Sequence, residues 1–296
     1  MTRVKDIKKF GRMRCIIGLV GCLLVLIVVQ IAYSINLSNA IGRTFENVGL
    51  KTLRMFTTLS NLLVTSAAVL CIPYQIEGLR KNNYHLPNWI VIILYMGTTG
   101  VSITFITALT AISIVQGFRS AMISETNIFL HTISPILSII LFTFVNDDHH
   151  VEFKRCFISL IPMLTYALVY LIQVFIRGTW TDHYQFDKFI PWPITFVLML
   201  GISFGISNLI RYLHNVTHKR RKQKYADYYQ NSLDIKSDTI EEAIVKLAKI
   251  NKKDYLGGDI EIPRRSIKMM KPAYEFNLTD EELYKIYIDA FLTNDK

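Results

Sequence analysis

Residues 53–72 read LRMFTTLSNLLVTSAAVLCI, a stretch that is apolar enough to cross a membrane except for one polar cluster. The cluster, residues 57–61 (TTLSN), puts four polar side chains into five positions. A helix needs about 20 mostly apolar residues to cross the hydrocarbon core, and a polar side chain in lipid is unfavourable unless it finds a partner. This stretch therefore predicts a membrane helix whose first turns carry either helix–helix contacts or a functional site.

The rest of the chain repeats this apolar pattern. Its 296 residues are 51% hydrophobic and 19% charged, with a mean hydropathy of +0.30, which is more apolar than a soluble domain of this size. Five further apolar blocks lie at 15–36, 89–113, 128–146, 156–176 and 190–213. We therefore predict an all-α, polytopic membrane protein, with a six-transmembrane-helix bundle over 15–213 and a small helical region over 214–296.

Basic residues at both ends predict the orientation. The arm 1–14 holds six Lys or Arg and one Asp, and HKRRKQK (218–224) follows the last apolar block. Lys and Arg are enriched in cytoplasmic segments, and an even number of spans puts both ends on one side. We predict a multi-pass protein of the cell membrane with both termini cytoplasmic. The first apolar block is longer than a signal-peptide core, so we interpret it as a retained anchor.

The polar region 214–296 predicts two amphipathic helices, at 237–253 and 278–292. The second has capping-box spacing between Thr279 and Glu282, and the segment 257–272 between them reads as irregular. Amphipathic helices usually bury their apolar face locally, which favours a cytosolic appendage packed on itself or on the membrane. The alternative is a docking site for a cytosolic protein partner. The run 218–224 fits anionic membrane lipid, and no other feature indicates nucleic acid binding.

The predicted membrane helices lack acidic residues and contain one deep histidine, His131. The absence of carboxylates argues against a proton- or cation-coupled transporter. Thr58 and His131 are both expected about 6–9 Å below the outer boundary, on helices that enter from the same side. The spacing of Thr58, Asn61 and Thr65 predicts one polar stripe, and Asn127, His131, Ser134 and Ser138 predict another.

A histidine beside a hydroxyl is the minimal arrangement for nucleophilic acyl transfer. Imidazole accepts the proton as the hydroxyl oxygen attacks a carbonyl, and Asn61 could donate a hydrogen bond to the oxyanion or orient the histidine. The alternative is structural, because Thr and Ser in membrane helices often bond a backbone carbonyl one turn back or hold helices together. No metal or organic cofactor is implied, and the four cysteines show no paired spacing.

Two small-residue motifs and one loop complete the pattern. GTTG (97–100) and Gly201-x-x-x-Gly205 predict close helix packing. The loop 177–193 is rich in aromatic and titratable residues. It fits an aromatic belt at the membrane interface or a lid over the outer mouth, with Asp182 and His183 nearby.

The order of three motifs resembles a known family. FTTLSN (56–61), LHTISP (130–135) and YALVYLIQVFIRGTW (166–180), followed by HYQFD (183–187), resemble bacterial six-helix membrane proteins of the Pr6Pr type. These are related to the androgen-induced and androgen-dependent TFPI-regulating membrane proteins of animals, which are threonine hydrolases of fatty acid esters of hydroxy fatty acids. The resemblance covers roughly 50–215 and implies Thr58 as the nucleophile and His131 as its partner.

Together these observations predict an intramembrane threonine hydrolase acting on a lipid-like ester. Thr58 would be the nucleophile, His131 the general base and then acid, and Asn61 a supporting donor. The substrate would enter from the outer leaflet. The alternative is a non-enzymatic membrane protein, either a lipid or small-solute carrier or a scaffold that recruits a cytosolic partner through residues 214–296.

Overall fold

A computed structural model describes residues 2–40, 49–81, 86–145, 150–182, 191–233, 237–253 and 263–293. Over these ranges the chain forms helices and no strand, as the all-α prediction requires. The chain divides into two compact units, one of residues 8–218 and one of residues 1–7 with 219–296.

The first unit is built on long apolar helices. Its principal helices are α1 (Thr2–Ala40), α2 (Phe56–Lys81), α3 (Asn88–Thr107) and α8 (Trp192–Leu233). Each contains a stretch that is long and apolar enough to cross a membrane: Met13–Asn36, Phe56–Arg80, Asn88–Ile112 and Trp192–Arg220. By length and composition, four of the described helices therefore qualify as membrane spans, two fewer than the six predicted blocks.

The two remaining apolar blocks form shorter, interrupted helices. The fourth segment, Ile128–Phe144, joins π-helical turns at Ile128–Ile133 and Leu141–Val145 through α5 (Ser134–Ile140). The fifth segment, Ile161–Ile176, consists of α7 (Ile161–Leu171) and a π-helical turn at Ile172–Ile176. The fourth segment is preceded by α4 (Ser113–Gln116) and a π-helical turn at Arg119–Ile123. The fifth segment is preceded by α6 (Arg155–Ser159). Pro135 and Pro162 stand in the first turns of α5 and α7, where proline interrupts the preceding helical hydrogen bonds.

Helix α2 runs antiparallel to both of its neighbours, α1 and α3. On α1, Gly18 faces the side chain of Gln75, and the Tyr33 hydroxyl donates to the Thr58 carbonyl at 2.8 Å. On α3, a Cβ added at Gly97 would lie 2.7 Å from Val64 Cα, and one at Gly100 would lie 3.0 Å from Ser60 Cβ. The GTTG motif is therefore a close packing site against α2, as predicted.

The second small-residue motif does not pack against any part of the chain that the structure describes. A Cβ added at either Gly201 or Gly205 of α8 would meet no atom within 4 Å, and both residues are exposed. α8 instead packs through Ser207 and His214. The Ser207 hydroxyl lies 2.7 Å from the hydroxyls of Tyr95 and Ser159, and the His214 ring stacks on Phe142. The apolar spacing of α8 did not indicate which face would be buried.

The second unit buries the apolar faces of three short helices on one another. α9 (Ile240–Lys253), α10 (Arg264–Met270) and α11 (Asp280–Leu292) share a core of ten buried residues: Ile240, Ala243, Ile244, Leu247, Ala248, Ile267, Met270, Leu283, Tyr287 and Phe291. The capping box predicted at the start of α11 is present between Thr279 and Glu282. The segment 257–272 was expected to be irregular; its described residues, from 263 onward, instead form α10 and the start of a 3₁₀ turn, because Ile267 and Met270 complete this core.

Candidate active site

His131 is buried at 8% exposure in the first turn of the fourth segment. Its Nδ1 lies 2.9 Å from the carbonyl oxygen of Ala121. A carbonyl only accepts hydrogen bonds, so Nδ1 carries the proton, and in the neutral ring Nε2 is then an acceptor. The neighbouring side chain of Thr132 donates to the Met122 carbonyl at 2.9 Å. These two bonds join the Arg119–Ile123 turn to the fourth segment and hold the imidazole in one orientation.

The chain turns sharply before the carbonyl that orients the histidine. Gly117 ends α4 with φ of +84°, a left-handed conformation that strains any other residue. The Arg119–Ile123 turn follows directly. This reversal returns the Ala121 carbonyl to the His131 ring, which sequence spacing did not reveal because a single glycine carries the signal.

The hydroxyl within reach of the His131 acceptor belongs to Thr57. His131 Nε2 lies 3.3 Å from Thr57 Oγ1, so the hydroxyl donates and the imidazole accepts. The separation is slightly longer than an ideal bond between a nucleophile and its base, a feature common before substrate binds. The Ala121 carbonyl, the His131 ring and the Thr57 hydroxyl thus form a continuous hydrogen-bonded chain.

Thr58, the residue selected from sequence, lies next to this chain. It is buried, and its backbone carbonyl accepts the hydrogen bond from Tyr33. Successive residues of an α-helix point about 100° apart, so Thr57 and Thr58 face different neighbours. Sequence spacing favoured Thr58 through its i, i+3 relation to Asn61. The structure instead places Thr57 and Asn61, an i, i+4 pair, against the fourth segment.

Asn61 positions the two helices. Its Nδ2 donates to the Thr57 carbonyl at 2.8 Å and to the Leu130 carbonyl at 3.2 Å. Both amide hydrogens are therefore committed to backbone oxygens, which leaves no hydrogen for an oxyanion. Asn61 ties the turn that carries Thr57 to the residue before His131. Of the two roles that sequence left open for Asn61, these contacts therefore fit orientation and not donation to an oxyanion.

The start of α2 offers other donors. Thr57 and Thr58 occupy its first turn, where backbone N–H groups have no carbonyl one turn earlier in the helix. The helix dipole adds partial positive charge at the same end. Charge that develops beside Thr57 would therefore meet backbone donors without any need for Asn61.

Thr57 also lies in the wall of an apolar cavity. The cavity has a volume of about 760 Å³ including its open mouth, and its walls come from α2, α3, the fifth segment and α8. The lining side chains are mostly aliphatic and aromatic, among them Ile103, Met163, Tyr170 and Phe196. A site of this kind accommodates a hydrocarbon chain, and Thr57 is one of the four threonines in its lining.

A second cleft lies on the other side of two aromatic residues. Phe56 and Tyr166 border both spaces, with ring centroids 5.2 Å apart. The cleft is lined by Leu53, Ser60, Pro162 and other residues, and has a volume of about 1020 Å³ including open space. Trp180, from the loop that sequence analysis interpreted as an aromatic belt or a lid, also lines this cleft. His183 of that loop lies outside the described residues.

Comparisons with models of known protein families, with curated proteins and with solved structures gave no match. Within the described ranges, no group of three or more His, Cys, Asp or Glu side chains is placed to hold a metal ion. The site is therefore characterised by its own geometry: a buried imidazole fixed by a carbonyl, a threonine hydroxyl within its reach, and an apolar cavity beside them.

Proposed function

We propose that this protein is an intramembrane threonine hydrolase that acts on a lipid-like ester, with Thr57 as the nucleophile and His131 as the general base and acid. The observation that carries this proposal is the chain from the Ala121 carbonyl through His131 to Thr57 Oγ1, at 2.9 and 3.3 Å, beside an apolar cavity. A nucleophile, a base within reach and a group that orients the base are the parts that covalent acyl transfer requires.

The reaction proceeds in two halves. Thr57 Oγ1 attacks the ester carbonyl while His131 Nε2 takes its proton, and the oxyanion faces the backbone N–H groups of the first turn of α2. His131 then gives the proton to the departing alcohol, which leaves an acyl ester on Thr57. Water, deprotonated by His131 Nε2, attacks this ester. The bond between the acyl carbon and Thr57 Oγ1 then breaks, His131 returns the proton to Thr57 Oγ1, and the carboxylic acid is released. Throughout, Nδ1–H stays bonded to the Ala121 carbonyl, which stabilises the transient imidazolium.

We further propose that all six apolar blocks cross the cell membrane, with both termini cytoplasmic and residues 214–296 cytosolic. The fourth segment is 17 residues long and the fifth is 16, close to the lower limit for a helix that spans a membrane. The fifth is preceded by α6 and one turn residue, Leu160, so helical structure begins at Arg155. The basic ends of the chain support this orientation.

The resemblance of FTTLSN and LHTISP to the Pr6Pr type and to the animal threonine hydrolases agrees with this proposal. The assignment differs by one residue, since geometry favours Thr57 and motif spacing favoured Thr58. Lipid is the proposed surrounding and source of substrate, because the cavity is apolar and the chain carries long apolar helices.

Labelling with a fluorophosphonate probe tests the proposal. In detergent-solubilised wild type we expect covalent labelling that is abolished by Thr57→Ala and slowed at least about 100-fold by His131→Ala, because the base no longer activates the hydroxyl. Thr57→Ser keeps a hydroxyl and should still label. Thr58→Ala is the matched control and should label like wild type. Loss of labelling in Thr58→Ala with retention in Thr57→Ala would contradict the assignment.

One observation favours a non-enzymatic alternative, a carrier or a scaffold with a cytosolic partner. His131 and Thr132 both donate to carbonyls of the Arg119–Ile123 turn. These hydrogen bonds alone would explain the buried histidine as a residue that holds the turn against the fourth segment. A scaffold predicts that deletion of residues 216–296 removes function in cells while Thr57→Ala does not. The hydrolase predicts that Thr57→Ala removes it.

A further inference from the structure

Arg211 lies on α8 at the level where a membrane helix leaves the hydrocarbon core. It is about 29 Å along the helix axis from Trp192 at 1.5 Å per residue, close to the thickness of that core. Its guanidinium lies over the Phe153 ring, 5.4 Å from the centroid. Its Nε donates to Oδ1 of Asn208 at 3.0 Å. These two contacts together fix the plane of the guanidinium.

A second arginine, Arg155, lies at the start of α6 beside the same part of α8. Its Nη1 donates to Oδ1 of Asn88, the first residue of α3, at 3.1 Å. The following residue, Cys156, has its Sγ 4.0 Å from Oδ1 of Asn208, the oxygen that also accepts the bond from Arg211. Both arginines therefore flank the contact between α6 and α8 at one end of the bundle, which is the cytoplasmic end in the proposed arrangement.

Neither guanidinium has a counter-ion among the residues that the structure describes. No carboxylate of those residues lies within ion-pair distance of Arg155 or Arg211. The carboxylate of Glu152, close by in sequence, instead pairs with Lys154 at 2.7 Å. Arg211 donates through Nε, and no described acceptor takes the hydrogens of its two Nη atoms. A guanidinium held in this way presents its N–H groups in a plane, a geometry that matches the oxygens of a phosphate.

An exposed aromatic surface lies directly beside the two arginines. Phe153 and Phe157 are 51% and 56% exposed, and their ring centroids lie 5.9 and 5.2 Å from that of Phe204 on α8. Phe204 precedes Asn208 by about one helical turn, toward the middle of the helix. The aromatic rings therefore begin where the charged groups end. Basic groups beside an apolar surface can hold both the headgroup and an acyl chain of an anionic lipid.

We propose that Arg155 and Arg211 bind the phosphate of an anionic phospholipid in the cytoplasmic leaflet, with an acyl chain against Phe153, Phe157 and Phe204. A zwitterionic phospholipid carries the same phosphate, but its ammonium group is repelled by the two guanidiniums, so the lipid's net charge sets the preference. The bound lipid joins the ends of α6 and α8 and stabilises their contact. This site goes beyond the proposed hydrolase and does not depend on it.

Lipid binding to the full-length protein in detergent, followed by native mass spectrometry, tests the proposal. The probes are dioleoyl phosphatidylglycerol and dioleoyl phosphatidylcholine, which share their acyl chains. We expect wild type to bind phosphatidylglycerol at least about tenfold more tightly, roughly the contribution of one charge-assisted hydrogen bond. Arg155→Gln and Arg211→Gln should each reduce this preference, and the double variant should abolish it. Because each single variant is informative, the test does not require the double variant to fold.

Arg80→Gln is the matched control, since it removes an exposed arginine at the end of α2, on the same side of the membrane in the proposed arrangement. It should keep the preference for phosphatidylglycerol. An equal loss in Arg80→Gln would mean attraction to the net charge of the chain, and would overturn the site, as would a preference that survives both Arg155→Gln and Arg211→Gln. Glycerol 3-phosphate should compete only weakly, because it lacks the acyl chains. If it displaces phosphatidylglycerol at equal concentration, the ligand is a soluble phosphate and the lipid assignment is wrong.

Discussion

At the scale of single residues, the site depends on which hydrogen-bond donors and acceptors remain unused by the protein. The Ala121 carbonyl takes the Nδ1 hydrogen of His131, which leaves Nε2 to accept from Thr57. Asn61 donates both amide hydrogens to the carbonyls of Thr57 and Leu130. Sequence spacing favoured Thr58, but both threonines precede Asn61 at helical spacing, and only the position of the fourth segment brings Thr57 to His131.

Removal of the Asn61 amide should weaken both rate and stability. Asn61→Ala breaks the only described side-chain bond between α2 and Leu130, and we expect a loss of about 1–3 kcal/mol in the free energy of unfolding. We also expect a lower kcat, since Thr57 and His131 are no longer held in register. The measurements are thermal unfolding in detergent and the labelling rate with fluorophosphonate.

Ser66→Ala is the control for that experiment. The Ser66 hydroxyl, on the exposed side of the same helix, bonds the Leu62 carbonyl at 2.9 Å and contacts no other helix in that bond. Its removal should leave the labelling rate near wild type. If Asn61→Ala labels as fast as Ser66→Ala, the orienting contact assigned to Asn61 is wrong.

At the scale of elements, the close approach of α2 and α3 positions Thr57. Gly97 and Gly100 let the backbone of α3 approach Val64 and Ser60 directly. The sequence motif predicted this contact correctly. The similar motif at Gly201 and Gly205 predicted a contact that none of the described residues makes, because small residues permit close packing without specifying a partner.

Gly97→Ala should destabilise the bundle. The new Cβ would lie 2.7 Å from Val64 Cα, a backbone atom that moves only with the helix, and overpacking of this kind costs about 1–3 kcal/mol. Gly201→Ala is the matched control on α8, where no atom lies within 4 Å, and it should be neutral or slightly stabilising. Equal unfolding temperatures for the two variants would contradict the close approach of α2 and α3 at Gly97.

The capping box of α11 should make the second unit sensitive to acid. Hydrogen bonds from the Thr279 backbone N–H and hydroxyl hold the pKa of Glu282 below its usual range. A lowered folded-state pKa contributes stability that is fully present above the ordinary carboxyl pKa and is lost as pH falls through the lowered value.

We therefore expect amide exchange in the first turn of α11, corrected for intrinsic rates, to increase as the pH falls through the acidic range in the full-length protein. Glu282→Gln removes the titrating group and should flatten this pH dependence. A profile unchanged by Glu282→Gln would mean that another group controls the end of this helix.

At the scale of the whole molecule, composition was sufficient for the helical class and for the separation of apolar and polar parts. It was insufficient to predict the lengths and breaks of the fourth and fifth segments, which are interrupted by π-helical turns and prolines. Interruptions of this kind depend on tertiary contacts, such as those of His131 and Thr132 with the preceding turn. Hydropathy alone does not record such contacts.

Cysteine accessibility in intact cells tests the six-span arrangement. The four native cysteines are all buried, so single introduced cysteines should react with little background. An impermeant maleimide should label Arg119→Cys and Arg177→Cys from outside, and Lys154→Cys only after permeabilisation. If Lys154→Cys reacts from the same side as either arginine position, the fourth or fifth segment does not cross the membrane.

The most direct measurement is the identity of the residue that a fluorophosphonate modifies. Labelled protein is digested with trypsin, and the peptide 55–80, which follows Arg54 and ends at Arg80, is fragmented in a mass spectrometer to separate residue 57 from residue 58. We predict a phosphonyl adduct on Thr57 that is absent from His131→Ala. An adduct on Thr58 or on another residue, or none on folded wild type, would contradict the proposed site.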